Sequence, residues 1–381
     1  MFEPLWTNGK VLIDEDTVWF VPSNYNCLCQ YNYQVGEIVK FIYLEEATCA
    51  KGAYYNLLRY MDYIVLVPTR SMTVLIYDVQ NGKIHSIPLK CGNNTREKFN
   101  AYAVWEHYIY MFPISYPQII RLNMEDMTLE YINCESVNEY YKKGLFYTNN
   151  CVVTGMIANL LMIKSNKICE FDMTNNSERI VTVGNDRSCY NTMCLYKEKG
   201  FILSDHYGNI VILNEKKDII NYVPSDENTC FSDCIPMMEG YLFLPYEREK
   251  DCVYWDGKDR KKIHLDLEIK TDSWSERWKY MMYSSATCKE NIIIFFHLLN
   301  RSLYILDPKT YMVREKYIRL NCLDDEIEKK VFDMYSRAGI LNEGESIAVK
   351  LENLIKYMKS SDNEQFQAVN AGKVVYDILN K

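Results

Sequence analysis

Five histidines, His85, His107, His206, His264 and His297, are the first candidates for acid–base or metal chemistry, yet no two stand at i, i+4 and none neighbours a C-x-x-C pair. Metal catalysis needs three or four convergent N, S or O ligands, and no local stretch supplies them. Cys27-x-Cys29 would point both thiols to one face of a strand, while Cys189 with Cys194 and Cys230 with Cys234 lack a partner pair at zinc spacing. Buried strand thiols are the simpler reading, and no metal or cofactor is expected. There is no G-x-S-x-G nucleophile elbow and no Gly-rich phosphate loop. Glu45-Glu46 and Asp324-Asp325 are adjacent in sequence, where carboxylates read as solvated charges rather than a general acid and its base.

Binding chemistry is better supplied. The chain holds 32 tyrosines and 6 tryptophans, and Tyr, Trp and Arg are the side chains that concentrate binding energy. Arg70, Tyr116, Tyr207, Tyr246, Trp274, Arg277, Trp278 and Arg301 all fall in segments between strand-like runs, where recognition usually resides. They are the candidate ligand-binding residues, with most other tyrosines expected to pack with the hydroxyl in water.

The elements that must carry those loops repeat. A strand-like run closed by proline ends at Pro22, Pro68 and Pro113, one period of about 45 residues apart, and again at Pro245, three periods further on. Residues 159–164 and 200–204 fill the places between. Polar turns precede these runs at Glu15-Asp16, Met61-Asp62, Glu106-His107, Glu198-Lys199-Gly200, Glu239-Gly240 and Glu290-Asn291; only the fourth unit, at Ile157-Ala158, departs from this. A third strand in each unit ends in a residue pair: Tyr31-Asn32, Tyr77-Asp78, Leu122-Asn123, Phe171-Asp172, Leu213-Asn214, Trp255-Asp256 and Leu306-Asp307. Seven pairs predict an all-β, seven-bladed β-propeller of four-stranded antiparallel blades over residues 1–322.

Val74-Leu75-Ile76-Tyr77-Asp78-Val79-Gln80-Asn81-Gly82-Lys83 and Leu303-Tyr304-Ile305-Leu306-Asp307-Pro308-Lys309-Thr310 resemble the outer hairpin of kelch-type and quinoprotein-type β-propellers. The resemblance implies the propeller fold over roughly residues 9–322 and carries no site residue with it. The Gly-Gly doublet of kelch repeats and the Gly-His to Trp-Asp pairing of WD40 repeats are absent, and Tyr311 stands where the quinoprotein hairpin has Gly. Ser204-Asp205-His206-Tyr207-Gly208 approaches a sialidase Asp box but lacks its Thr-Trp, so a turn between second and third strands is expected.

Beyond Leu320 the apolar period changes to that of helices: Ile327, Val331, Met334 and Tyr335, then Ile347, Leu351, Leu354, Ile355 and Met358. Residues 323–381 are expected to be a C-terminal α-helical tail, packed on the propeller or serving as a docking arm. Net charge −8 and pI about 5.4 argue against a nucleic-acid partner, and the apolar runs are too short for a membrane span. The 14 cysteines are scattered, and the first residues lack a charged region followed by an apolar core, so a cytoplasmic location with reduced thiols is expected. The function expected is a non-catalytic scaffold that recognises a protein, peptide or glycan through its aromatic and Arg-containing loops. The alternative is a carbohydrate-active enzyme with its site in the axial channel.

Overall fold

The computed structural model describes residues 5–318, apart from 24, 45–51, 91–96, 137–146, 163–164, 186–187, 226–227, 238, 247–249, 266–285, 290–291 and 299. Within them lie seven four-stranded antiparallel sheets, each built from strands consecutive in sequence. The blades span 12–43, 54–88, 99–132, 147–182, 190–223, 231–263 and 287–316, and the strands of each are called a to d from the inside outward. Strands a touch one another in order around the axis, and strand a of blade 7 returns to strand a of blade 1, so the ring closes. The expected tail, 323–381, lies outside the described residues.

Strands b and c form the core because both of their faces meet a neighbouring blade. Ile64, Val65, Leu66 and Val67 in strand b of blade 2 are fully buried, as are Ile293 to Phe296 in blade 7. The apolar side chains gather between blades: Val65, Val67, Val74 and Ile76 of blade 2 pack with Ile109, Met111, Ile120 and Leu122 of blade 3.

Strands a and b are joined by tight turns. In blades 1 to 4 the turn has two residues, and the first, Glu15, Met61, Glu106 or Gly155, is left-handed. The fourth unit therefore keeps the turn, at Gly155-Met156 and not at Ile157-Ala158, because a Gly there serves the positive φ that the other blades force on larger residues. All seven residues of the pair motif do the same work at the c–d turn. The Oδ1 atoms of Asn32, Asp78, Asn123, Asp172, Asn214, Asp256 and Asp307 accept backbone N–H groups two to four residues on. Tyr311, at the place where the quinoprotein hairpin has Gly, is left-handed with φ 58°.

A feature absent from the sequence reading organises the axis. In blades 2, 3, 5 and 6 strand a carries a β-bulge at its start, at Tyr54 to Asn56, Phe99 to Ala101, Tyr190 to Thr192 and Phe231 to Asp233. The position opposite is Pro68, Pro113, Asp205 or Pro245. A bulge asks no ladder N–H of its partner, which is why proline is tolerated there. The extra residue is free to bond sideways: Tyr55 O accepts Lys10 N of blade 1 at 2.8 Å, and Asn100 O accepts Asn56 Nδ2 of blade 2 at 2.9 Å.

Blade 7 meets blade 1 through packing and a few polar contacts. Phe20 lies against Phe296 with ring centroids 5.0 Å apart, in a cluster that also holds Leu5, Val18, Leu303, Ile305 and Ile318. Thr287 Oγ1 donates to Val11 O at 2.6 Å, and Leu5 N donates to Ile318 O at 2.7 Å in an isolated antiparallel bridge.

Two outcomes are expected from these turns. Met61 is 75% exposed with φ 51°, so Met61→Gly removes a left-handed penalty without a packing loss and is expected to stabilise by about 1 kcal/mol in urea unfolding. The turn amides hold the Asp78, Asp256 and Asp307 carboxyls below the usual range, and Thr174 does so for Asp172. The folded state then binds fewer protons than the unfolded chain, so this stability is present above the unfolded pKa and is lost as pH falls through the folded one. Replacing all four by Asn, which keeps one acceptor oxygen, is expected to flatten the loss of stability between about pH 4.5 and pH 3.

Candidate functional site

Alternating strand direction puts the b–c loops and the connections between blades at one end of the ring and the a–b and c–d turns at the other. Arg70, Tyr116, Tyr207, Tyr246 and Arg301 all lie in b–c loops and so share the first end. Trp274, Arg277 and Trp278 fall outside the described residues. The fold does not leave the five equally open. Tyr116 is 1% exposed and packs on Phe99 with ring centroids 4.9 Å apart, which makes it a core residue under the loop rather than a contact on its surface. Arg70 pairs with Glu97 at 3.6 Å, Arg301 lies over the Trp6 ring at 5.9 Å, and Tyr246 is half-buried. Tyr207 is the open one, 51% exposed beside the His206 ring.

Below Arg70 the loops are tied by a buried lysine. Lys98 Nζ donates to Arg70 O at 2.8 Å, and burial pushes its pKa down to about 8. Asp205, in the stretch that approaches an Asp box, spends its carboxylate on the turn: Oδ1 accepts Tyr207 N and Asn209 N at 2.9 Å, and Oδ2 accepts Asn209 Nδ2 at 2.7 Å.

The axial channel gathers groups distant in sequence. The Lys10 ammonium of blade 1 lies over the Tyr102 ring of blade 3 at 5.5 Å, and its charge reaches Cys151 of blade 4 and Asp233 of blade 6. Burial pushes the Asp233 carboxyl above the usual range, against the pull of Lys10 and of the Ala286 and Cys234 N–H groups that it accepts at 3.2 and 2.9 Å. Burial likewise pushes the Cys151 thiol up to about 12. Among the described residues this set holds one carboxylate and one cation. Among the described residues no three His, Cys, Asp or Glu side chains converge as metal ligands, and His107 and His264 face the single carboxylates Glu125 and Asp251.

Sequence reasoning missed the cleft between blades 4 and 5. It holds about 620 Å³ at the turn end, and its lining includes Thr154, Glu170, Arg179, Glu198, Glu215 and Lys217. The floor is an ion-pair network. Glu170 takes Arg179 and Lys217 together, and Lys217, its side chain 4% exposed, also lies over the Phe201 ring at 4.6 Å. Burial alone would raise the Glu170 carboxyl, but the hydrogen bonds from Lys217 and Arg179 hold it below the usual range.

Apolar residues stand beside the lining ones in sequence: Val153 and Met156 around Gly155, Ile180 after Arg179, and Ile219, Ile220 and Tyr222 after Lys217. Among the described residues, more than half of the exposed large hydrophobic side chains fall in blades 4 and 5. Strand d of blade 5, Ile219–Val223, has no charged residue, where strands d of blades 1, 3, 4, 6 and 7 carry charges. Charges on an edge strand discourage association, and this edge lacks them. Tyr222 N donates to Asn221 Oδ1 at 2.9 Å, so the open surface is one of side chains more than of backbone. The available signal was that run itself, Ile219-Ile220-Asn221-Tyr222-Val223, which a repeat-centred reading takes for one more strand.

Among the described residues no helix is long and apolar enough to cross a membrane. No family model matches the sequence, and no curated protein matches it. Solved structures do resemble the fold. A catalytically inactive virginiamycin B lyase from Staphylococcus aureus with quinupristin aligns with TM-score 0.60 and 10% identity over 77% of this chain and 92% of its own. The Pan2 WD40 domain of Neurospora crassa aligns with TM-score 0.57 and 6% identity over 80% and 88%, and the RRP9 WD40 repeats with TM-score 0.52 and 8% identity over 78% and 92%. At such identity the likeness carries the fold alone: the chain is a seven-bladed β-propeller with lyase and WD40 structural neighbours.

Proposed function

We propose that the chain is a non-catalytic scaffold that binds a protein partner, and that the groove between blades 4 and 5 is its main docking surface. The observation that carries this reading is the exposure of Ile180 on strand d of blade 4 and of Ile219, Ile220 and Tyr222 on strand d of blade 5, the two blades that line the charged cleft, since exposed apolar surface rimmed by polar groups marks interaction sites. The cleft lining carries five carboxylates, Glu170, Asp172, Glu178, Glu198 and Glu215, against Arg179, Lys199 and Lys217. The fitting partner is a polypeptide segment with a Lys or Arg between apolar side chains. Its apolar residues would cover strand d of blade 5 and its cation would meet Glu198.

Panning a phage-displayed library of random peptides on the full chain tests this. Selected peptides are expected to pair Lys or Arg with Ile, Leu, Val or Phe. Their affinity should fall by at least about tenfold in Ile219→Asp with Ile220→Asp, with thermal stability nearly unchanged. Binding that survives this pair but is lost in Trp274→Ala with Arg277→Ala would move the docking surface to the loop end. Turnover of an oligosaccharide panel that disappears in Asp233→Asn would replace the scaffold by an axial-channel enzyme.

A further inference from the structure

Cys194 on strand a of blade 5 and Cys234 on strand a of blade 6 are forty residues apart in sequence, yet their Sγ atoms lie 2.8 Å from each other across the blade boundary. Both are free thiols, 6% and 5% exposed. Both thiols belong to an apolar cluster with Trp255, against which Tyr196 and Tyr241 pack with their rings in mutual contact. A disulfide needs a sulfur separation of about 2.0 Å, so the pair is within about 1 Å of bonding. Cys27 and Cys29 are also buried near each other, but they sit two apart on one strand, where a bond would join nothing new.

We propose that Cys194 and Cys234 form a modification site, a dithiol that a small-molecule disulfide converts into an interblade disulfide. Burial first, then the contact with Cys194 and the charge of Asp233, raises the pKa of Cys234, and across the 2.8 Å contact either thiol can donate its S–H to the other sulfur. Cys194, its own proton lost to solvent, attacks one sulfur of the reagent RSSR. The S–S bond breaks, and RS⁻ leaves with the electron pair and takes up a proton. Cys234 then gives up its proton, attacks Cys194 Sγ in the mixed disulfide and expels the second RS⁻, which is protonated in turn. Two protein thiols are oxidised by two electrons and one RSSR is reduced to two RSH.

The bond would join two inner strands that otherwise meet only through side chains and scattered hydrogen bonds, closing a loop of about 40 residues. The full chain is incubated with the disulfide of 2-mercaptoethanol at pH 8, blocked with iodoacetamide, and digested without reduction for mass spectrometry. A Cys194–Cys234 cross-linked peptide is expected as the dominant linkage, reversed by dithiothreitol and accompanied by a rise in thermal midpoint of roughly 4 °C. Cys194→Ser should lose both effects, while Cys189→Ser keeps them. Mixed disulfides at other cysteines without the 194–234 cross-link overturn the proposal, and the unmutated chain alone gives that answer if Cys194→Ser fails to fold.

Discussion

The ring depends on one backbone constraint: a carbonyl engaged in its own blade's ladder lies along that sheet and does not point at the next blade. In blades 2 and 3 the bulge at the start of strand a resolves it by inserting a residue that the ladder does not claim. Tyr55 O and Asn100 O then bond the adjacent blade. Gly9 shows how close this approach is, because a Cβ there would fall 1.8 Å from Tyr55 O. The prolines at the ends of strands b follow from the bulge rather than cause it, since blade 5 keeps the bulge with Asp205 in that place. Once the inner strands are fixed in this way, apolar side chains of strands b and c meet between blades and supply most of the burial.

Much of the fold was legible because it is written in short-range chemistry. Seven Asn or Asp residues at one position each accept their own turn amides, and such a bond needs no information from elsewhere in the chain. The turn at Gly155-Met156 escaped because a polar pair was sought and a lone Gly did the work. The bulges escaped for the same kind of reason: aromatic-x-polar triplets such as Tyr54-Tyr55-Asn56 alternate like any strand start, and only the partner strand reveals the extra residue.

The site was less legible than the fold. Arg70, Tyr116, Tyr207, Tyr246 and Arg301 do lie between strands, each on a b–c loop, but openness is a property of packing. Tyr116 turns inward onto Phe99 while Tyr207, in the equivalent loop two blades on, stays in water. The cleft between blades 4 and 5 joins residues from Thr154 to Lys217, and the Glu170 carboxylate draws one cation from its own blade and one from the next. Pairing across a blade boundary has no sequence spacing of its own.

The seam between blades 7 and 1 gives the molecule a direction of mechanical weakness. Within a blade, pulling strands apart loads several antiparallel hydrogen bonds together, and between most blades it loads packed side chains. At the seam, tension applied between Leu5 and Ile318 falls first on the backbone bond of an isolated bridge. Leu5 would peel from the ring before any blade lost its ladder, exposing the Phe20–Phe296 contact while the seven sheets remained whole. Tension that reaches Leu5 or Ile318 is thus met first by one backbone bond and then by the packed cluster behind it, which still holds blade 7 to blade 1.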